Sequence, residues 1–266
     1  MKRRIGLCLA MALVTGPLVS ADIITFKNGQ DGYSGCVDGA ARSEPGREVY
    51  NYGTSTSFTS NFEDESNQEF VSFIQFEDLF GAGSNQISAG QTITDAKLYL
   101  YARGMQNAGT SRMVNAYAML VGVNMGTKNS QPADDGEVCW DARARNQVAW
   151  GGDMHNGPVS GMDYTLNHAD RTAVSAVGWV SWNVTDMVND WYSNALANHG
   201  ILIRGGESTL QRRIDYCSTD WTTTGKMGDP LDPTYFPYLE VTYVPEPVSL
   251  ILLSLGGLVL AGRRNS

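Results

Sequence analysis

The sequence predicts an all-β protein: a single antiparallel β-sandwich, jelly-roll-like, with one short helix near residues 185–194. Three observations favour this class. Apolar and polar residues alternate in about ten short runs, turn-forming residues separate the runs, and no strand–helix–strand rhythm recurs. Glycine is abundant at 29 of 266 residues, while charged residues make up only 18%, which is typical of an extracellular β-rich protein.

The strands are predicted from this alternation. In the clearest run, Leu98 and Leu100 alternate with Tyr99 and Tyr101, so we expect the leucines on the core face and the tyrosines on the opposite face. The same pattern places Trp182 in the core. The predicted strands are 22–26, 55–62, 69–76, 97–102, 114–121, 179–184, 200–204, 212–217 and 238–243.

One helix and one long loop region interrupt the strands. Thr185 has the side chain of a good N-cap, and Met187, Val188 and Trp191 then fall on one side of a helix. The stretch 124–170 has few alternating runs and many Gly, Asn and Asp residues. We expect long loops there, and these loops are the expected place of a binding surface.

The amino-terminal segment predicts export. Lys2, Arg3 and Arg4 precede an uncharged, mostly apolar run over 5–19, and small residues precede Asp22. Such a run rises only about 22 Å as a helix, which is short of the roughly 30 Å of a hydrocarbon core. Residues 1–21 are therefore predicted to be a cleaved signal peptide, with an N-terminal membrane anchor as the alternative.

The carboxyl-terminal segment predicts surface sorting. Pro245, Glu246 and Pro247 lead into a short apolar run, which Arg263 and Arg264 close as in a stop-transfer pattern. Together these features resemble the PEP-CTERM sorting signal. The resemblance implies recognition by a membrane-embedded sorting protease, an exosortase, in a Gram-negative bacterium that makes exopolysaccharide. Residues 245–266 are thus expected to insert transiently into the membrane; a simple membrane anchor is the alternative.

Charge and cysteine content agree with export. The net charge of −9 argues against nucleic acid as a partner. Cys8 would leave with the signal peptide, so that Cys36, Cys139 and Cys217 remain in the domain 22–244. In an oxidising compartment we expect one disulfide and one free thiol, and the sequence leaves all three pairings open.

A series of short motifs spans this domain. Its members are Asp31-Gly-Tyr33, Asn51-Tyr-Gly53, Phe73-Ile-Gln-Phe76, Ile93 to Tyr101, Trp182-Asn-Val-Thr185, Asn198-His-Gly-Ile201 and Pro237 to Tyr243. Their order and spacing resemble the DNRLRE-type domain, also classed as carbohydrate-binding module family 96 and related to a domain found beside disaggregatases. The resemblance implies a β-sandwich that in some members binds acidic polysaccharide. Residues 106–177 depart most from the pattern.

Candidate ligand contacts are aromatic residues in the loops. Trp140, Trp150 and Trp221 have polar neighbours, as sugar stacking requires, and Arg143 is suited to pair with a uronate carboxylate. The alternative is that these tryptophans pack at the open ends of the sandwich. Asp31 is a candidate ligand of a structural Ca²⁺ ion, with a plain Asx-turn as the alternative. No cofactor is required.

Catalysis is not favoured by the sequence. It contains no GxSxG elbow, HExxH pair or phosphate-cradling loop, although a lyase pair is conceivable from His155, His168 and Tyr164. We therefore expect a non-enzymatic, exported β-sandwich that is sorted to the cell surface or extracellular matrix and associates with extracellular polysaccharide. The alternatives are a structural matrix or adhesion protein acting through protein–protein contacts, and a polysaccharide lyase or hydrolase.

Overall fold

A computed structural model describes residues 20–63, 68–106, 109–151, 157–167, 169–206 and 213–245. The predicted all-β class is confirmed, because antiparallel strands dominate and only one α-helix occurs among these residues. The strands are β1 (Asp22–Lys27), β2 (Cys36–Arg42), β3 (Tyr50–Asn51), β4 (Ser57–Glu63), β5 (Gln68–Phe76), β6 (Gln91–Met105), β7 (Arg112–Ala118), β8 (Gln131–Pro132), β9 (Asp170–Val174), β10 (Gly178–Asn183), β11 (Ile201–Gly205), β12 (Ile214–Cys217) and β13 (Tyr238–Pro245).

Eleven of these described strands form one curled sheet. Its order is β1-β13-β6-β12-β4-β5-β11-β7-β9, with β10 paired to β6 and β2 paired to β5. The main core lies inside the curl and draws side chains from both ends of this order. Trp182 of β10 crosses that core, and its indole N–H donates to the Val114 carbonyl of β7 at 2.9 Å. The result is a sandwich-like packing of two sheet halves.

Strand β6 organises one half of the sandwich. It is longer than the predicted 97–102 because it pairs with β10, β13 and β12 along its length. The predicted alternation is confirmed: Leu98 and Leu100 are fully buried in the core, and Tyr99 and Tyr101 lie on the opposite face. From Ala96 to Ala102, every second residue of β6 therefore belongs to the core and the others to an outer surface.

A third layer covers the outer side of β5 and β11. Phe73 of β5 and Leu202 of β11 point away from the main core and pack under the segment 119–167, forming a second apolar cluster. The prediction of loops over 124–170 is confirmed for the described residues of that stretch, which contain the short strand β8 and the first residue of β9. β5 is consequently buried on both faces, which accounts for its nearly continuous apolar sequence.

Asn51 of β3 ties the segments of this loop layer to one another. Its fully buried side-chain amide donates to the carbonyls of Met125 (2.6 Å) and Val138 (2.9 Å). Its oxygen accepts from the backbone N–H groups of Gly53 (3.0 Å) and Lys128 (3.1 Å). Four hydrogen bonds from one side chain thus join three loop segments in a place that water does not reach.

The helix α1 (Thr185–Tyr192) confirms the predicted helix, and its residues Met187, Val188 and Trp191 are buried as expected. The predicted N-cap is wrong. Thr185 is the first helical residue, and its hydroxyl accepts the backbone N–H of Ala96 at 2.9 Å instead of capping the helix. The N-cap residue is Val184, which makes no side-chain cap, and the Asn183 side chain accepts the Thr185 N–H at 3.0 Å.

The predicted disulfide is not formed. Cys36, Cys139 and Cys217 are all free and buried. Cys36 belongs to the main core, whereas Cys139 packs in a separate small cluster under the loop layer. Each sulfur therefore serves as a small apolar group in its own packing environment.

Most of the terminal segments fall outside the described residues. These include residues 1–19 of the predicted signal peptide and, of the sorting signal, Glu246, Pro247, Arg263 and Arg264. Pro245 ends β13, one residue beyond the predicted domain boundary. Within the described ranges, no helix has the length and apolar character needed to cross a membrane.

Candidate functional site

The outer surface of the β10–β6–β13 sheet carries a cluster of five aromatic side chains, which we call the aromatic face: Tyr99, Tyr101, Trp179, Tyr235 and Tyr238. Strand register brings them together, because Trp179 lies opposite Tyr101 and Tyr238 lies opposite Tyr99. The rings of Tyr99 and Tyr238 stack with centroids 4.5 Å apart and planes 11° apart. Tyr101 contacts Trp179 at 5.4 Å and Tyr235 at 4.5 Å.

A lysine borders the aromatic face. The Lys27 ammonium lies 5.5 Å from the ring centroids of both Trp179 and Tyr238, and it donates to the Thr234 carbonyl at 3.0 Å. Partial burial lowers the pKa of Lys27, while the nearby Asp232 carboxylate opposes that shift. The ammonium is therefore fixed beside the rings as a polar donor.

The aromatic face presents both apolar and polar groups to solvent. Trp179 is 41% exposed, a high fraction for a tryptophan. Within the described part of the chain, the hydroxyls of Tyr99, Tyr101, Tyr235 and Tyr238 make no hydrogen bond, so all four are available to a ligand. Burial, together with Tyr99 and Glu240, raises the pKa of Tyr238 to about 12, so this hydroxyl keeps its proton at neutral pH.

Trp221, one of the predicted contact residues, adjoins the aromatic face through Arg103. Arg103 lies on β6 two residues beyond Tyr101 and thus on the same side of the strand. Its guanidinium lies 4.9 Å from the ring centroid of Trp221. Gly225 supports the other part of this indole, since a Cβ there would come within 2.6 Å of the ring. Trp221 therefore extends the aromatic surface along β6.

The other predicted tryptophans are not presented to solvent. Trp150 is fully buried, stacks on Phe73 at 5.7 Å and donates its indole N–H to the Cys139 carbonyl at 2.9 Å. Trp140 is also buried, and Gly157 packs closely against its ring. Neither indole offers an open face to a sugar, and both pack in the interior of the loop layer. Arg143 lies half-buried in that layer.

Asp31 lies in an exposed turn with a left-handed backbone (φ 50°), and its carbonyl accepts a hydrogen bond from the Asn85 side chain. Among the described residues, no group of three or more His, Cys, Asp or Glu side chains is arranged to hold a metal ion. The Ca²⁺ role of Asp31 therefore stays a prediction that rests on the sequence.

Of the three residues considered for catalysis, the structure describes Tyr164. His155 and His168 lie outside the described residues. Tyr164 is buried, and its hydroxyl accepts a hydrogen bond from Arg204, which also pairs with Glu69. Burial raises the pKa of Glu69 and opposes the effect of Arg204. These groups join the loop layer to the sheet.

The sequence did not predict the aromatic face as a site, although it did predict the outward direction of two of its five residues. Alternation correctly placed Tyr99 and Tyr101 outward, but it does not show which strands lie beside β6.

No protein-family model matches the chain, and no curated protein matches it.

Proposed function

We propose that this protein is an exported, surface-sorted, non-catalytic β-sandwich that associates with extracellular polysaccharide. The observation that carries the proposal is the aromatic face. The proposal of export and sorting by an exosortase is based on the two terminal sequence signals. The proposal of polysaccharide as the partner is based on the chemistry of the described surface.

The aromatic face supplies what a sugar chain needs from a protein. A pyranose ring has an apolar C–H face, which packs on indole and phenol rings, and a rim of hydroxyls, which needs hydrogen-bonding partners. Trp179 offers the most exposed ring, and four unbonded tyrosine hydroxyls and the Lys27 ammonium stand around it. The site lies on strands rather than loops, which favours a rigid surface.

The length of this surface suits a polymer. From Tyr99 to Arg103 along β6 is four residues, or about 13 Å at the rise of a β-strand. Trp221 lies beside Arg103 at the far end. Several consecutive sugar units would therefore contact the protein at once, and an open sheet surface leaves both ends of the polymer free.

The proposal is tested by affinity electrophoresis against a panel of neutral and acidic polysaccharides, with the Trp179→Ala variant beside the unmodified protein. Loss of the most exposed ring is expected to weaken retention about tenfold, since a central aromatic contact contributes about 1–2 kcal/mol. The matched control is Leu166→Ala, which removes another exposed apolar side chain (75% exposed) from the loop layer. Equal retention of both variants, or retention by no polysaccharide, would contradict the proposal.

One observation favours the alternative of a structural matrix protein. β1 ends the order of the sheet, so one of its edges has no partner strand among the described residues, and Ile23 on it is 65% exposed. Such edges pair with other chains. This alternative predicts concentration-dependent association in sedimentation equilibrium that the Ile23→Lys variant abolishes and Trp179→Ala leaves unchanged.

A further inference from the structure

A carboxylate lies beside the rings of the aromatic face. Glu240 of β13 is two residues beyond Tyr238 and opposite Lys97 of β6, so it lies on the same side of the sheet as the rings. Burial raises the pKa of both Tyr99 and Tyr238, and the negative charge of Glu240 adds to both shifts. The stacked pair of rings therefore stands in the field of a negative charge.

The two lysines near these rings already have oxygen partners in the protein. The Lys97 ammonium pairs with the Asp95 carboxylate at 2.9 Å. The Lys27 ammonium donates to the Thr234 carbonyl at 3.0 Å. Burial lowers the pKa of Lys27, and the carboxylate of Asp232 opposes that shift. Each lysine charge is thus offset by a carboxylate of the same surface.

A third cation, Arg103, lies where the surface reaches Trp221. Its guanidinium lies 4.9 Å from the ring centroid of Trp221 and donates to the Ser57 hydroxyl at 3.2 Å. The surface thus carries three cations and three carboxylates: Lys27, Lys97 and Arg103, and Asp95, Asp232 and Glu240. These charges balance, and the chain as a whole carries a net charge of −9.

This balance of charge favours an uncharged polymer. A polymer with a carboxylate or sulfate on each repeat loses part of its hydration on binding and needs an excess of Lys and Arg to offset that loss. A neutral polysaccharide has no such cost. Its hydroxyls can accept hydrogen bonds from the tyrosine hydroxyls and donate to the Glu240 carboxylate, which accepts hydrogen bonds only.

We infer that the aromatic face takes an uncharged polysaccharide and that Glu240 is the residue that excludes acidic polymers. This inference rests on the proposed function and adds the class of the polymer. It differs from the acidic polysaccharide that the resemblance to the DNRLRE-type domain implies. Its basis is the position of Glu240, because a carboxylate beside the Tyr99 and Tyr238 rings repels an acidic group of a ligand from that part of the surface.

The test is affinity electrophoresis with pairs of polymers that share a backbone and differ in charge. The pairs are hydroxyethyl cellulose with carboxymethyl cellulose, methyl-esterified with de-esterified polygalacturonate, and dextran with dextran sulfate. The unmodified protein is expected to be retained by the neutral member of a pair and more weakly by its anionic counterpart. Added salt is expected to change the retention by the neutral member little, because that contact involves no ligand charge.

The role of Glu240 is tested with Glu240→Gln, which removes the charge and keeps the size of the side chain. At low salt, the ratio of anionic to neutral retention is expected to rise about threefold in this variant. The matched control is Glu77→Gln, which removes an equal charge from an exposed residue directly after β5, outside the aromatic face. It is expected to leave the ratio unchanged. Thermal unfolding of both variants verifies that each is folded.

The possible failures are distinguishable. Retention of the unmodified protein by an anionic polymer that equals or exceeds its retention by the neutral counterpart would overturn the inference of an uncharged ligand. An equal rise of the ratio in Glu240→Gln and Glu77→Gln would overturn the role of Glu240, since only the net charge would then matter. Retention by neither member of any pair would instead overturn the proposed function.

Discussion

A buried carboxyl group makes the stability of this fold depend on pH. Asp38 in β2 is 3% exposed, and its carboxylate accepts the Thr219 backbone N–H at 2.6 Å. Burial raises its pKa to about 7 from an ordinary value of 3.8; the Thr219 hydrogen bonds oppose the shift, and nearby Asp220 adds to it. The test is Asp38→Asn, whose amide oxygen still accepts the Thr219 bond and whose side chain does not titrate.

The sign of the effect follows from the direction of the shift. Because the folded state holds the Asp38 proton more tightly than the unfolded state, this carboxyl stabilises the fold fully below about pH 4. That contribution is lost progressively as the pH rises toward 7. A tenfold change in proton affinity corresponds to about 1.4 kcal/mol. The contribution of Asp38 to the free energy of unfolding therefore falls by roughly 3 kcal/mol between about pH 5 and pH 8.

Urea unfolding of both proteins at a series of pH values measures this loss. The unmodified protein is expected to lose about 3 kcal/mol more than Asp38→Asn across that range. Glu69, whose pKa burial also raises, is present in both proteins and cancels in the difference. Parallel stability curves for the two proteins would refute the assignment of the titration to Asp38.

Three further perturbations probe the packing. Asn51→Ala removes four buried hydrogen bonds and leaves two carbonyls unpaired. Urea unfolding should therefore show a free energy of unfolding that is lower by about 2–5 kcal/mol. The control Asn129→Ala, which changes a half-exposed side chain, should leave this free energy nearly unchanged. In the same assay, Trp150→Ala should lower the free energy of unfolding by about 3–5 kcal/mol. A decrease of less than about 1 kcal/mol would contradict the burial of Trp150. Alkylation followed by mass spectrometry should find all three described cysteines unreactive in the folded protein and reactive after unfolding without a reductant; a disulfide-linked peptide would contradict the free thiols.

The sequence predicted the strands whose two faces differ in environment. β6 and β10 show clean alternation because one face lies in the core and the other meets solvent. β2 was missed since its small residues are buried on both sides and therefore do not alternate. The disulfide was predicted from compartment alone, and packing places Cys36 and Cys139 in different clusters.

The site was harder to predict than the fold because it depends on strand neighbours. Trp140 and Trp150 were candidate sugar contacts because their sequence surroundings are rich in glycine and polar residues, with packing inside the fold as the alternative. The described residues around them instead fold back over β5, and Gly157 lets the chain approach the Trp140 ring. Trp221 was placed correctly in an accessible loop, yet its relation to Tyr101 appears only when β6 and β12 pair.

The aromatic face and the core are coupled through the register of β6. Leu98 and Leu100 fill the core while Tyr99 and Tyr101 form the outer cluster, so a slip of one residue would exchange the two sets. The burial of the two leucines therefore fixes the direction of the tyrosines without any contact made for binding. Pairing with β10 and β13 then brings Trp179 and Tyr238 beside them. For this reason, the energy that stabilises the sandwich also holds the proposed sugar-binding surface in place before any ligand arrives, which lowers the entropy lost on binding.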